Sequence, residues 1–321
     1  MSKPPLEMYT PLLEQMISQG MSPDVALAMA EDFFDTRSKK VRGMARKSLA
    51  MIEAMTSIAE KTQPITGRGI GYKLFAAGMI SSMSRQNMQC VYRLLKEARE
   101  RGMVPWSWIV DETRELEQTS SWKDPAAFVR TVARSYRLDF WNQQPVRVEV
   151  WSEKGTIRGV LAPVLEKFGV GFRVMHGFSG ATPLHPVAQD DDGRQLIVLY
   201  IGDYDPSGLY MSEKDLPNRL AKYGGDHVSL RRIALLRDDL AELPFFAAAD
   251  KKGDPRFKWF SENFGQRCWE LDAMDPNDLR DRVEDEIQAL IEPEAWERCS
   301  TCQKAEQESL RSVLDSWRQT S

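Results

Sequence analysis

Histidine and cysteine are scarce in this chain, three and four among 321 residues. His176, His185 and His227 are dispersed and read as structural rather than as a ligand set. Cys90 and Cys268 are isolated, and Cys299 and Cys302 form a single C-x-x-C. A structural zinc site takes four ligands, so that pair reads as incidental. Four cysteines build no disulfide framework, and a reducing, cytoplasmic setting is expected. No apolar run approaches the roughly 20 residues of a membrane span, which argues against a membrane partner. The opening "MSKPPLEMYTPLLEQM" has acidic residues inside its apolar stretch and is not expected to act as a secretory signal. Internal repeats and low-complexity segments are also absent.

A strong overall charge is lacking too. Charged residues are 28% and hydrophobic residues 42%, with a formal net charge of −4, a globular composition. The length suits two domains, or one large one with appendages. Taken whole, the charge argues against a nucleic-acid binder. Its distribution argues for one. Residues 36–104 hold fourteen Lys and Arg against four Glu and no Asp. Residues 270–297 hold eleven acids against two arginines. Such asymmetry is expected of a chain with one polyanion-facing side, although a solvated basic helix face would leave the same trace.

Residues 22–61 read as one or two helices, with Ser22 a cap and Pro23 at the first helical position. "TQPITG" breaks that pattern. "RGIGYKLFAAGMI" is a short helix ended by Gly78, and "SRQNMQCVYRLLKEARERG" a second, capped by Ser84 and stopped by Gly102. A third helix is expected from Pro125, capped by Asp124, before the linker "NQQP". Short helices with the second one basic suit a helix-turn-helix or winged-helix module. Arg93, Lys96 and Arg99 on that helix are the candidate DNA contacts. Tyr92, beside Val91, Leu94 and Leu95, is expected in the core.

After Pro145 the pattern changes. "VRVEVWSE" alternates as a strand, "GTIRGVLAPVLEKFG" is helical, and "FRVMHG" is a strand. "QLIVLYIGD" is a nearly continuous apolar strand, as in a parallel sheet covered on both faces. "PSGLYMSEKDLPNRLAKYGG" is mostly helix and "VSLRRIALL" another strand, so the alternation is that of an α/β sheet. The remainder is helical and acidic. The polar segment "FSGATPLHPVAQDDDG" fits no element.

The chemistry concentrates in "LYIGDYDPSG". Asp203 and Asp205 follow a buried strand, and Glu153 follows "VEVWS". Ligands bind beyond the carboxyl ends of strands in such sheets. Neighbouring carboxylates repel unless a cation lies between them. Glu153, Asp203 and Asp205 therefore form a candidate site for Mg2+ (or Mn2+), which binds through one or two carboxylates while meeting a phosphate. The helix from Pro206 is expected to turn its N-terminal amides to the same place. The plainer reading of the aspartates is a helix cap followed by a turn. Glu149 lies mid-strand, away from the rim.

"VEVWSEKGTI" and "IGDYDPSG" resemble the two acidic motifs of a Toprim domain. Arg68-Gly-Ile-Gly-Tyr72 resembles the Arg-x-x-x-Tyr helix of the topoisomerase VI A subunit and its meiotic double-strand-break relative. "KKGDPRF" and "WELDAM" resemble further pieces, and the similarity runs over about residues 60–290, nearest to standalone A-like proteins of mobile elements. The resemblance implies a helical region over 1–60, a winged-helix-like domain over 61–143, a Rossmann-like Toprim domain over 144–293 and a C-terminal helix over 294–321. It implies Tyr72 as the nucleophile on double-stranded DNA, Arg68 beside it, and a homodimer in which one subunit's tyrosine meets the other's metal. Strand passage would need a separate ATPase partner. Gly69 and Gly71 depart from the family's helix formers around the tyrosine. Without the resemblance, the favoured reading of Tyr72 is a half-buried aromatic on an amphipathic helix. Two other functions remain open: a Toprim nuclease using metal-activated water, and a non-catalytic DNA-binding subunit of a mobile-element or defence complex.

Overall fold

The computed structural model describes residues 46–110, 121–175 and 184–319. The chain divides into two compact units, Met1–Asp111 and Glu112–Ser321. The division lies upstream of the 143/144 boundary expected from the "NQQP" linker. The expected helices at 22–45 fall outside the described residues.

In the first unit, α1 (Arg46–Thr62), β1 (Ile65–Thr66), α2 (Gly67–Ala76), α3 (Arg85–Glu100) and β2 (Ile109–Val110) follow in order. The Thr66 hydroxyl accepts from Gly69 N–H at 2.9 Å and caps α2. Ser84 caps α3, accepting from Asn87 N–H. Gly78 and Gly102, beyond the two helices, take φ of +68° and +66°, a region that costs glycine nothing. The core joins Ile52, Met55 and Ala59 of α1, Ile70 and Leu74 of α2, and Val91, Leu94, Leu95 and Ala98 of α3. Residues 46–60 thus share the core of the helices that follow. β1 and β2 pair parallel, Ile65 opposite Ile109.

The second unit is α/β. α4 (Pro125–Ser135), capped by Asp124, leads to β3 (Val146–Ser152), α5 (Ile157–Phe168), β4 (Gly171–Val174) and α6 (Leu184–Gln189). Then come β5 (Gln195–Ile201), α7 (Pro206–Tyr210), a π turn (Met211–Asp215), α8 (Leu216–Lys222) and β6 (Val228–Ala234). After them stand β7 (Phe246–Ala247), α9 (Phe257–Asn263), β8 (Arg267–Cys268), α10 (Pro276–Gln288) and α11 (Pro293–Gln319). α4 joins this unit rather than the basic helices. Beyond its end, the Tyr136 hydroxyl donates to Glu306, and the Leu138 N–H to Gln303 Oε1 at 2.8 Å, both acceptors on α11.

The four strands pair in the order β4-β3-β5-β6, and every pairing is parallel. One face packs Val148, Val150, Leu199 and Ile201 against Leu161 and Val164 of α5 and Leu279, Val283 and Ile287 of α10. The other packs Trp151, Leu196, Val198 and Tyr200 against Leu184 and Val187 of α6 and Leu216 and Leu220 of α8. Covering both faces is why β5 reads as an unbroken apolar run. Fully burying each such aliphatic side chain is worth about 1.5–3 kcal/mol. The sheet grows outward from β3 to β4 on one side and from β5 to β6 on the other. The switch point, where α/β sheets open a crevice, therefore lies between the carboxyl ends of β3 and β5.

Candidate functional site

Ser152 ends β3 directly opposite Ile201, which ends β5. Glu153 follows the first, and Gly202, Asp203 and Asp205 follow the second, so the three expected acids share the rim of the switch point. Asp203 Oδ1 accepts from Leu271 N–H at 2.8 Å and from Lys154 Nζ at 2.9 Å. Lys154 Nζ also reaches Asp272 Oδ2 at 2.8 Å. Asp205 Oδ1 accepts from Gly208 N–H at 2.7 Å, and Asp205 Oδ2 lies 3.1 Å from Lys251 Nζ. Asp205 therefore caps α7 itself, and that one-turn helix spends its Gly208 amide on the cap. Among the described residues, Asp203 Oδ2 and both oxygens of Glu153 accept no hydrogen bond.

The electrostatics reflect that crowding. Burial pushes the Glu153 carboxyl above the usual range, and the charges of Asp205 and Asp203 add to the rise; Lys154 and Lys251 oppose it. Burial likewise raises Asp203, and Asp205 adds to the rise against the pull of Lys154. For Lys154, burial disfavours the ammonium, but Asp203, Asp272 and Glu270 outweigh it and hold its pKa up. Burial lifts the Tyr200 phenol, and the three carboxylates lift it further against the guanidinium of Arg232. Among the described residues, the buried Tyr200 hydroxyl has no hydrogen-bond partner. Its ring lies where a side chain at Gly202 would have to go, 2.8 Å from that Cβ position.

Distant segments build this loop. Arg232 of β6, at a position where burial disfavours its charge, donates to the carbonyls of Gly202 at 2.6 Å, Leu235 at 3.0 Å and Gly208 at 3.1 Å. It also reaches Ser212 Oγ at 2.8 Å. Tyr204 and Trp269 exchange backbone hydrogen bonds of 2.9 and 3.0 Å, zipping "WELDAM" onto the acidic loop. "KKGDPRF" brings Lys251, and Asp254, which accepts from Ser207 Oγ at 3.1 Å. Lys154, Lys251, Asp272, Tyr200 and Arg232 are the residues that sequence reasoning missed. Lys251 and Asp272 lie in the singled-out segments "KKGDPRF" and "WELDAM", and Arg232 is one of two arginines in the strand "VSLRRIA", but nothing in the sequence directs any of them to the rim.

Hard carboxylate oxygens, two of the carboxyls raised by burial and by acidic neighbours, and a buried phenol beside them fit a divalent cation in donor chemistry. Among the described residues, no three His, Cys, Asp or Glu side chains are already gathered around an ion position. Two ammonium groups instead carry the countercharge on Asp203 and Asp205. Glu149, as expected, serves the sheet: both its oxygens hold Arg173 at 2.9 Å, and Trp151 Nε1 donates to it at 2.6 Å.

In the first unit, Tyr72 lies on α2 and is 5% exposed. The Arg68 guanidinium stands over its ring, 5.9 Å from the centroid. Gly71 admits close packing there, since a Cβ would come within 2.6 Å of the Met88 thioether. On α3, Arg93 and Lys96 are exposed, and Lys96 pairs with Glu100 at 3.6 Å. The Arg99 guanidinium lies 4.3 Å from the ring centroid of Trp106, which is 59% exposed. Tyr92 is not in the core: it is 43% exposed, and its ring lies 3.1 Å from where a Gly67 Cβ would stand. Val91, Leu94 and Leu95 are buried as expected.

No protein-family model, no curated protein and no solved structure matches the chain.

Proposed function

We propose that this protein is a Toprim-type, divalent-cation-dependent DNA-cleaving enzyme that works by tyrosine transesterification, with a winged-helix-like first unit. The observation that carries this reading is the placement of Glu153, Asp203 and Asp205 just past the carboxyl ends of the adjacent strands β3 and β5, where burial first and acidic neighbours next raise Glu153 and Asp203. Glu153, Asp203 and Asp205 would hold Mg2+ or Mn2+, whose charge would stabilise negative charge developing on a phosphodiester. Arg232 and Leu271 fix the backbone and the carboxylate of the Asp203 loop. Exposed Arg93 and Lys96, with Arg99 and Trp106 beside them, present cations and an aromatic face to a DNA backbone.

Tyr72 is the proposed nucleophile, attacking phosphorus through its phenol oxygen and displacing the deoxyribose 3′ or 5′ oxygen. Arg68 is placed to favour the negative charge on the phenol oxygen and the phosphate. Following the resembled family, the working form is a homodimer on double-stranded DNA, with any strand passage dependent on an ATPase partner.

The burial of Tyr72 favours a second reading, in which water is the nucleophile and Tyr72 only packs. Incubating supercoiled plasmid with the protein and Mg2+ or Mn2+, then adding detergent and protease, separates the two. Protease-dependent release of cut DNA from a covalent adduct, lost in Tyr72→Phe, supports transesterification. Cutting without an adduct, undiminished in Tyr72→Phe, selects hydrolysis. DNA binding without any cutting would overturn both.

A further inference from the structure

Lys154 and Lys251 both neutralise the acidic rim, but they are held differently. Lys154 is gripped on two sides, by Asp203 at 2.9 Å and Asp272 at 2.8 Å, and its side chain is 25% exposed. Lys251 pairs with Asp205 at 3.1 Å, and its side chain is 42% exposed. Its ammonium also lies 5.9 Å from the centroid of the Phe246 ring. It rises from a single 3-10 turn, Ala248–Lys251, rather than from the sheet.

The carboxylate oxygens divide in the same way. Among the described residues, Glu153 and Asp203 Oδ2 accept no hydrogen bond, whereas Lys251 Nζ lies 3.1 Å from Asp205 Oδ2. Asp205 Oδ1 is committed to the α7 cap. A cation that ligates Asp205 through Oδ2, the oxygen not used in the cap, competes there with Lys251. The orphaned Tyr200 hydroxyl beside these carboxylates independently marks the rim as a place with an unmet polar partner.

We infer that Lys251 is an exchangeable counter-ion: it holds Asp205 when no divalent cation is bound, and is released by the cation to contact a phosphate oxygen of the DNA. This rests on the reading of the rim as a cation site, and it gives that site a phosphate-binding residue. Two cations cannot share one carboxylate oxygen at this separation without repulsion, so ammonium and metal compete. A released ammonium beside a phosphodiester is an ordinary point-charge contact. Lys154, tied also to Asp272, stays and keeps Asp203 in place.

The test measures Mn2+ alone, by electron paramagnetic resonance of the free ion, on the full chain without DNA. Lys251→Met should bind Mn2+ several-fold more tightly than wild type, because the competitor is gone. Lys251→Arg, which keeps the charge, should not show that gain. With plasmid DNA, Lys251→Met should cut at least about tenfold more slowly at saturating Mn2+. Far-ultraviolet circular dichroism checks folding, and Lys251→Gln serves as a second neutral variant. Wild-type Mn2+ affinity in both neutral variants would overturn the exchange. Tighter binding with undiminished cutting would overturn the phosphate contact. If Asp203→Asn leaves wild-type Mn2+ binding unchanged, the rim is not the cation site, and that reading fails together with the inference.

Discussion

The carbonyl oxygen of Asp203 lies 2.4 Å from the position that a Cβ on Gly208 would occupy. The obstacle is backbone, so no rotamer relieves it. The small residue in D-x-D-P-S-G thus lets α7 fold back under the acidic loop, where Arg232 binds the carbonyls of both Gly202 and Gly208. Gly208→Ala should destabilise the second unit by about 1–3 kcal/mol, the usual cost of overpacking. It should also weaken Mn2+ binding, because Asp203 and Asp205 both border the displaced segment. Urea unfolding and Mn2+ titration measure the two effects, and an unperturbed variant would argue against this close approach.

Glu153 should be a liability when no cation is bound. Its pKa is raised by burial first and by Asp205 and Asp203 next. A carboxyl raised on folding contributes stability below its unfolded value, and that contribution is lost as pH rises through the folded value. At pH 7 Glu153 is therefore a cost, and Glu153→Gln in EDTA should melt roughly 1–3 °C higher than wild type. The gain should shrink as pH falls below the ordinary carboxylate range. Added Mn2+ should stabilise the wild type and not the variant. A variant less stable than wild type at pH 7 in EDTA would show that the charge is compensated in the folded state.

The same shifts set the pH dependence of cation binding. Glu153 and Asp203 must lose their protons to ligate, and both hold them to a higher pH than free carboxylates. Mn2+ affinity should therefore begin to fall on acidification at a higher pH than it would for carboxylates of ordinary pKa. Titrations across pH 4–8 follow this. A profile flat across that whole range would mean that the two acids are not the ligands.

How much of this the sequence discloses depends on the range of the contacts. β5 is legible because four buried residues, Val198, Leu199, Tyr200 and Ile201, follow one another and an acidic turn ends them. The rim is legible because Glu153 and Asp203 each follow a strand end, and the strands are neighbours. Lys251 and Asp272 come from segments some fifty to seventy residues beyond the acidic turn, and nothing local in "KKGDPRF" or "WELDAM" says where they fold. α6 was missed because it is six residues long, contains Pro186 and sits in a polar segment. Tyr92 adjoins the apolar Val91, Leu94 and Leu95 in sequence, which suggests the core, but on the helical wheel all three lie to one side of it and leave it at the edge of the apolar face. Gly67 opens a place for its ring at the edge of α3, outside the core.

Phosphate contacts on α3 should appear in the salt dependence of DNA binding. Arg93 and Lys96 are exposed, whereas Arg99 is already engaged with Trp106. Each lost phosphate contact should reduce the slope of log affinity against log salt by about 0.9. Arg93→Ala and Lys96→Ala together should flatten it by about 2, while Trp106→Ala should lower affinity with little change in slope. Fluorescence anisotropy with a labelled duplex at several salt concentrations measures this. Unchanged slopes in the double variant would place the DNA elsewhere.

Mixed subunits test the proposed dimer and the nucleophile together. Tyr72→Phe keeps the acidic rim and loses the attacking hydroxyl. Asp203→Asn keeps Tyr72 and loses a carboxylate that also holds Lys154 and Leu271 N–H. Each variant alone should cut no strand. If a dimer's site combines the tyrosine of one subunit with the cation site of the other, a mixed dimer retains one intact composite site. Co-expressing the two variants with different affinity tags, and purifying through both, should then recover nicking, with the DNA 5′ or 3′ end covalently attached to the Asp203→Asn subunit. If each subunit instead used its own tyrosine and its own rim, no dimer of the two variants would hold a complete site, and mixing would restore nothing. Adducts on the Tyr72→Phe subunit would name a different nucleophile, and the absence of any mixed dimer would remove the trans arrangement.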